Sequence, residues 1–196
     1  MKHSQISKLV TLSLLSAIIV VLQLISGYLK VGPVSITLVL VPVVVGAAFY
    51  GKAAGAYLGG VFGLIVFIGC VNGTDVGGNI LFVANPYYCF FVCMLKGCAS
   101  GFCAAAVYGL VKKWAGGSIT SVICAAITAP IVNTGLFCLC MAVLYRSTLI
   151  AWASGQNAFV YMITGLAGIN FLVEVAINLV CSPAITTIIK AIKKTQ

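Results

Sequence analysis

Residues Thr164 to Lys190 read TGLAGINFLVEVAINLVCSPAITTIIK, a run apolar enough to cross a bilayer that still carries Asn170, Glu174 and Asn178. These three follow one another at intervals of four, so a helix places them along one face. Glu174 lies near the middle of the run, where an ionisable group costs about 2.5 to 3.5 kcal/mol on insertion scales. That expense predicts a stripe turned inward, towards a substrate or ion site or towards a structural cluster of hydrogen bonds.

The rest of the chain fits a membrane setting. Of its 196 residues, 62% are hydrophobic and only 7% charged, with a mean hydropathy of +1.21, which excludes an ordinary soluble domain. Six spans are predicted, at about 8–29, 35–50, 53–71, 86–111, 119–145 and 164–189, forming a single transmembrane domain over 1–196 with no extramembrane domain. The second is short, and Pro42 in its middle predicts a kink. The apolar run from Leu9 to Leu29 is longer than the core of a cleavable signal and is expected to stay as the first span.

The net charge of +9 belongs to a membrane surface, because no basic run is long enough for nucleic acid. With the N-terminus inside, the inner side receives Lys2, Lys8, Lys52, Lys112, Lys113, Lys190, Lys193 and Lys194, and the outer side only Lys30 and Arg146. The positive-inside rule therefore predicts an N-in, C-in, all-α bundle. Its outer connections, 30–34, 72–85 and 146–163, are the longer ones and hold Asn72, Asp75, Asn79, Asn85, Gln156 and Asn157. Recognition is expected from that side.

Inside the membrane, Lys96 falls at roughly the level of Glu174, and Asn133 and Thr134 follow Pro130 at similar depth. Lys96 and Glu174 either neutralise one another or meet a charged ligand between them. The aromatic residues Tyr87, Tyr88, Phe90 and Phe91, with Trp152, Phe159 and Tyr161, form either a roof over this level or an interfacial belt. Together these features describe a pocket for a small, partly polar molecule.

Other patterns are structural or negative. Gly51, Gly55, Gly59 and Gly63 make a small-residue ladder, for internal packing or an intermolecular seam. The nine cysteines lie mostly in apolar runs without a C-x-x-C pair and are read as small buried hydrophobes, with no metal site and no cofactor expected. No Walker A motif, H-E-x-x-H or G-x-S-x-G occurs, so ATP hydrolysis by that route and the commoner hydrolase chemistries are not expected.

The segment Gly32-Pro33-Val34-Ser35-Ile36-Thr37-Leu38 leading to Pro42 and Gly46, then Tyr50-Gly51-Lys52-x-x-Gly55 and Gly59-x-x-x-Gly63, resembles the substrate-binding S components of energy-coupling factor (ECF) vitamin transporters. The resemblance continues through Asn133-Thr134 to Asn170-x-x-x-Glu174, Asn178 and Pro183, and so spans nearly the whole chain. It implies a six-helix, multi-pass protein of the bacterial cell membrane without enzymatic activity. Such a protein captures a water-soluble vitamin from outside and docks on a transmembrane coupling subunit driven by two cytoplasmic ATPases. By position it makes Lys96, Asn133, Asn170 and Glu174 ligand candidates; Asn85 of the outer connection and Tyr87 of the aromatic group are added to them as substrate-binding candidates at the mouth. Ser13 and Ala17 match the small-x-x-x-small patch that meets the coupling subunit, although the family usually has alanine at both places. Lysine also stands at 96 where arginine is common, keeping the charge but losing the bidentate fork. The pattern is most similar to the pantothenate group, with folate or another vitamin as the alternative. Two rivals of other classes are a stand-alone carrier using Glu174 as its proton site and an intramembrane lipid-modifying enzyme.

Overall fold

A computed structural model describes residues 2–26, 30–31, 34–35, 38–116 and 118–194. Helix α1 (Lys2–Ser26) leads through a two-residue antiparallel ribbon, β1 (Lys30–Val31) and β2 (Val34–Ser35), to α2 (Leu40–Tyr50) and α3 (Lys52–Asn72). The strands pair Lys30 with Ser35 and Val31 with Val34. The Ser26 hydroxyl accepts the Leu38 N–H at 3.3 Å and ties the end of α1 to the approach to α2. Then come α4 (Val76–Ala84), α5 (Pro86–Ala115), α6 (Ser118–Leu144), α7 (Arg146–Ala153), α8 (Ala158–Tyr161), a π-helical stretch (Met162–Gly168) and α9 (Ile169–Lys194).

Among the described residues, five helical segments are long and apolar enough to cross a membrane: Gln5–Ser26, Lys52–Asn72, Pro86–Ala115, Ile119–Leu144 and Ala158–Ile188. The expected second span is shorter than the sequence suggested. It begins at Leu40, which puts Pro42 in its first turn, where the missing N–H has no helical acceptor to lose. Pro42 therefore starts this helix and does not kink its middle. From Leu40 to Ala47 all residues but Val41 are buried, so α2 is a core element, packed against α1, α3, α5, α6 and α9.

Two connections read as loops are also helical. Asp75 caps α4 by accepting the Gly78 N–H at 3.0 Å, and Asn157 caps α8 through the Phe159 N–H at 2.9 Å. Short side chains that satisfy the first free N–H groups let even brief helices form at these corners.

The bundle is built around the pairing of α3 with α5. A Cβ at Gly55 would collide with the Gly101 carbonyl, one at Gly59 with the Gly97 carbonyl, and one at Gly63 with the Cys93 carbonyl. The collisions are mutual at Gly97 and Gly101, which leaves the two backbones in direct contact. Three rungs of the glycine ladder are thus internal packing. Gly51 differs: with φ +78° it makes the reversal between α2 and α3, a left-handed conformation that a Cβ disfavours.

Candidate functional site

The close approach of α3 and α5 positions one side of a cavity, and α6 and α9 supply the other. Its lining includes Lys96 from α5, Asn133, Thr134 and Phe137 from α6, and Glu174 from α9. Gln23 of α1, Trp152 of α7 and Leu166 of the π-helical stretch also reach it. Both acidic residues of the chain, Asp75 and Glu174, line this one space. The cavity measures about 70 Å³, enough for several waters at roughly 10–15 Å³ each.

Lys96 lies with its Nζ 5.1 Å from the centre of the Phe137 ring, within range of a cation–π attraction. The ring holds the ammonium partly out of water without spending its N–H donors. Asn133 is 5% exposed, and its side-chain oxygen has no hydrogen-bond partner among the described residues. An amide acceptor buried in that state costs about 1–3 kcal/mol unless water or a ligand satisfies it. Glu174 is 4% exposed, so a carboxyl group borders the same space from α9.

The α9 stripe divides into two uses. Asn178 Nδ2 donates to the Glu174 carbonyl at 2.8 Å, the Ser182 hydroxyl to the Asn178 carbonyl at 2.8 Å, and the Thr186 hydroxyl to the Ser182 carbonyl at 2.9 Å. Below Glu174 the polar donors therefore bond back onto their own helix, while the Asn178 side-chain oxygen has no hydrogen-bond partner among the described residues. Asn170 belongs to α9 by its backbone, but its side chain lies outside the described residues.

Two expected mouth residues fall elsewhere. Asn85 is occupied as the N-cap of α5, accepting the N–H groups of Tyr87 and Tyr88 at 3.1 Å each, and Tyr87 is 84% exposed. Neither borders the cavity. Phe90, Phe91 and Phe159 are likewise exposed, as an interfacial belt would be, whereas Trp152 does roof the space. On α1, Ser13 and Ala17 are both exposed on the outside of the bundle.

The lining residues that sequence reading missed come from tertiary placement. Gln23 had no periodic signal to distinguish it, and Asp75 was one polar residue among several in an expected loop. Cys70 of α3 meets Cys89 and Cys93 of α5 on the cavity wall, with their sulfurs all within 4.8 Å of one another. Only the glycine contact that presses α3 onto α5 brings these distant positions together.

A helical membrane bundle with a buried, partly polar cavity at one end defines a small-molecule transport or binding protein. The sequence model of the family described as "ECF transporter, substrate-specific component" matches residues 7–186, and the chain belongs to that family. It is a multi-pass protein of the bacterial cell membrane. It is similar to the pantothenic acid transporter PanT of Lactococcus lactis subsp. cremoris (strain MG1363), with 26% identity over 199 residues covering 94% of each chain. No solved structure gives a significant match.

Proposed function

We propose that this protein is the vitamin-binding subunit of an ECF-type importer and that its ligand is pantothenate. Membership of the substrate-specific components supports the first part, and the distant relative named for pantothenic acid the second. The observation that carries the ligand reading is the cavity itself: among the described residues Lys96 is the only lysine or arginine that lines it, beside amide, hydroxyl and carboxylate groups. Pantothenate offers a carboxylate for the ammonium, an amide for Asn133, and two hydroxyls that can donate to carboxylates such as Glu174 and Asp75. Asn170 belongs to the same proposed set.

The N-in, C-in arrangement of a single membrane domain belongs to this reading, with α2 completing a sixth crossing inside the bundle. Ser13 and Ala17 then form the contact with a transmembrane coupling subunit, and two cytoplasmic ATPases drive uptake. The subunit itself performs no chemistry. Its work is capture.

Calorimetry on the purified chain tests the ligand. Pantothenate is expected to bind with a single site, and Lys96→Ala to weaken it at least tenfold, about 1.4 kcal/mol. Unchanged affinity in that variant removes Lys96 from the site, and binding of folate in preference to pantothenate overturns the ligand.

A further inference from the structure

The cavity wall holds a second group of side chains that vitamin binding does not use. Cys70, Cys89 and Cys93 are buried, at 2%, 2% and 4% exposure, and their three sulfurs lie within 4.8 Å of one another. We propose that these three thiols form a binding site for a divalent thiophilic ion of the zinc class, with its fourth coordination position facing the cavity.

Geometry supports the assignment. At a zinc–sulfur distance of about 2.3 Å, tetrahedral angles put the sulfurs about 3.8 Å apart, so the trio needs to contract by no more than about 1 Å. Cys89 and Cys93 stand one turn apart on a single rigid helix, and Cys70 is set opposite them by the backbone contact of α3 with α5. Space for the Cys70 sulfur depends on Gly78, where an added Cβ would collide with that sulfur. The Cys89 sulfur in turn lies 3.9 Å from the Gly78 carbonyl. The trio is therefore enclosed by α4 on one side and open to the cavity on the other.

Charge and donor type select the ion. Thiolates favour soft or borderline d10 ions, and three protein ligands with an open position leave room for water or a ligand oxygen. Binding breaks three S–H bonds, forms three metal–sulfur bonds and releases three protons to water. Three thiolates and a divalent ion carry one net negative charge, less than with a monovalent ion, and Lys96 lines the same cavity.

The test uses the full chain in detergent, reduced, stripped with chelator and free of vitamin, with Zn2+ alone as the probe. One equivalent is expected to bind, and X-ray absorption at the zinc edge to show three sulfur neighbours at about 2.3 Å and one lighter neighbour. Cys70→Ser, Cys89→Ser and Cys93→Ser are each expected to lower affinity at least tenfold, while Cys138→Ser does not. A zinc shell of nitrogen and oxygen only, or no retained zinc, overturns the site. The absorption measurement on the unsubstituted protein decides the question even if a serine variant fails to fold, and none of these results depends on which vitamin binds.

Discussion

Tyr145 shows how one side chain ties separate corners of the bundle together. It follows the last residue of α6, is 3% exposed, and holds its hydroxyl 3.1 Å from the Leu81 carbonyl and 2.8 Å from the Asn85 carbonyl. Those carbonyls belong to the end of α4 and the turn into α5, so the phenol joins two corners far apart in sequence. Each carbonyl also accepts a backbone N–H, from Asn85 and Cys89 respectively, and neither is orphaned when the phenol is lost. Tyr145→Phe is therefore expected to cost only about 0.5–1.5 kcal/mol, seen as a lower midpoint of thermal unfolding followed by circular dichroism. An unchanged midpoint would mean that packing alone holds the corner. At this scale the sequence is an uneven guide. Lys96, Asn133 and Glu174 stood out because polar groups deep in apolar runs demand a reason, and all three border one space. Gln23 and Asp75 border it too, but near the ends of their helices polar residues are ordinary and carry no such signal.

At the scale of elements, spacing was most informative where backbones touch. The four-residue glycine interval already implied a close helix partner, and the partner is α5, which presents Gly97 and Gly101 with the same spacing. Sequence could not choose between an internal seam and an external one, because the ladder describes one surface only. Gly59→Val tests the seam. Its side chain would meet the Gly97 carbonyl, a backbone atom that cannot rotate away, so α3 and α5 must separate. Overpacking of this kind costs about 1–3 kcal/mol, and the expected result is a lower unfolding midpoint together with weaker ligand binding, since Cys70 and Lys96 sit on the two separated helices. Gly109→Val, on α5 where nothing lies within 4 Å of an added Cβ, is the comparison expected to leave both unchanged. The ends of elements were less legible than their faces. Caps at Asp75 and Asn157 turn expected loops into short helices, because a single well-placed oxygen suffices to start one.

For the whole molecule, the proposed six-crossing arrangement requires α2, a helix of eleven residues, to serve as a crossing. At about 1.5 Å per residue α2 is about 16 Å long, roughly half the thickness of a hydrocarbon core of about 30 Å. It is tolerated there because the helices around it, and not lipid, cover most of its surface. Its direction then sets the parity of the entire chain. Three lysines mark one end of the bundle through their aromatic neighbours: Lys8 lies 5.8 Å from the Tyr50 ring centre, Lys52 5.6 Å from Phe102 and Lys112 5.7 Å from Tyr108. Asp75 and Trp152, which border the cavity, belong to connections at the other end. If α2 crosses, the lysine end faces the cytoplasm and the cavity faces outward, as capture of an external nutrient requires. A phosphatase reporter inserted after Gln156 is then expected to be active, which needs export, and one fused after Gln196 inactive. Opposite behaviour of the two fusions would refute the C-in arrangement, since the last span alone separates the two reporters and its direction would then be reversed.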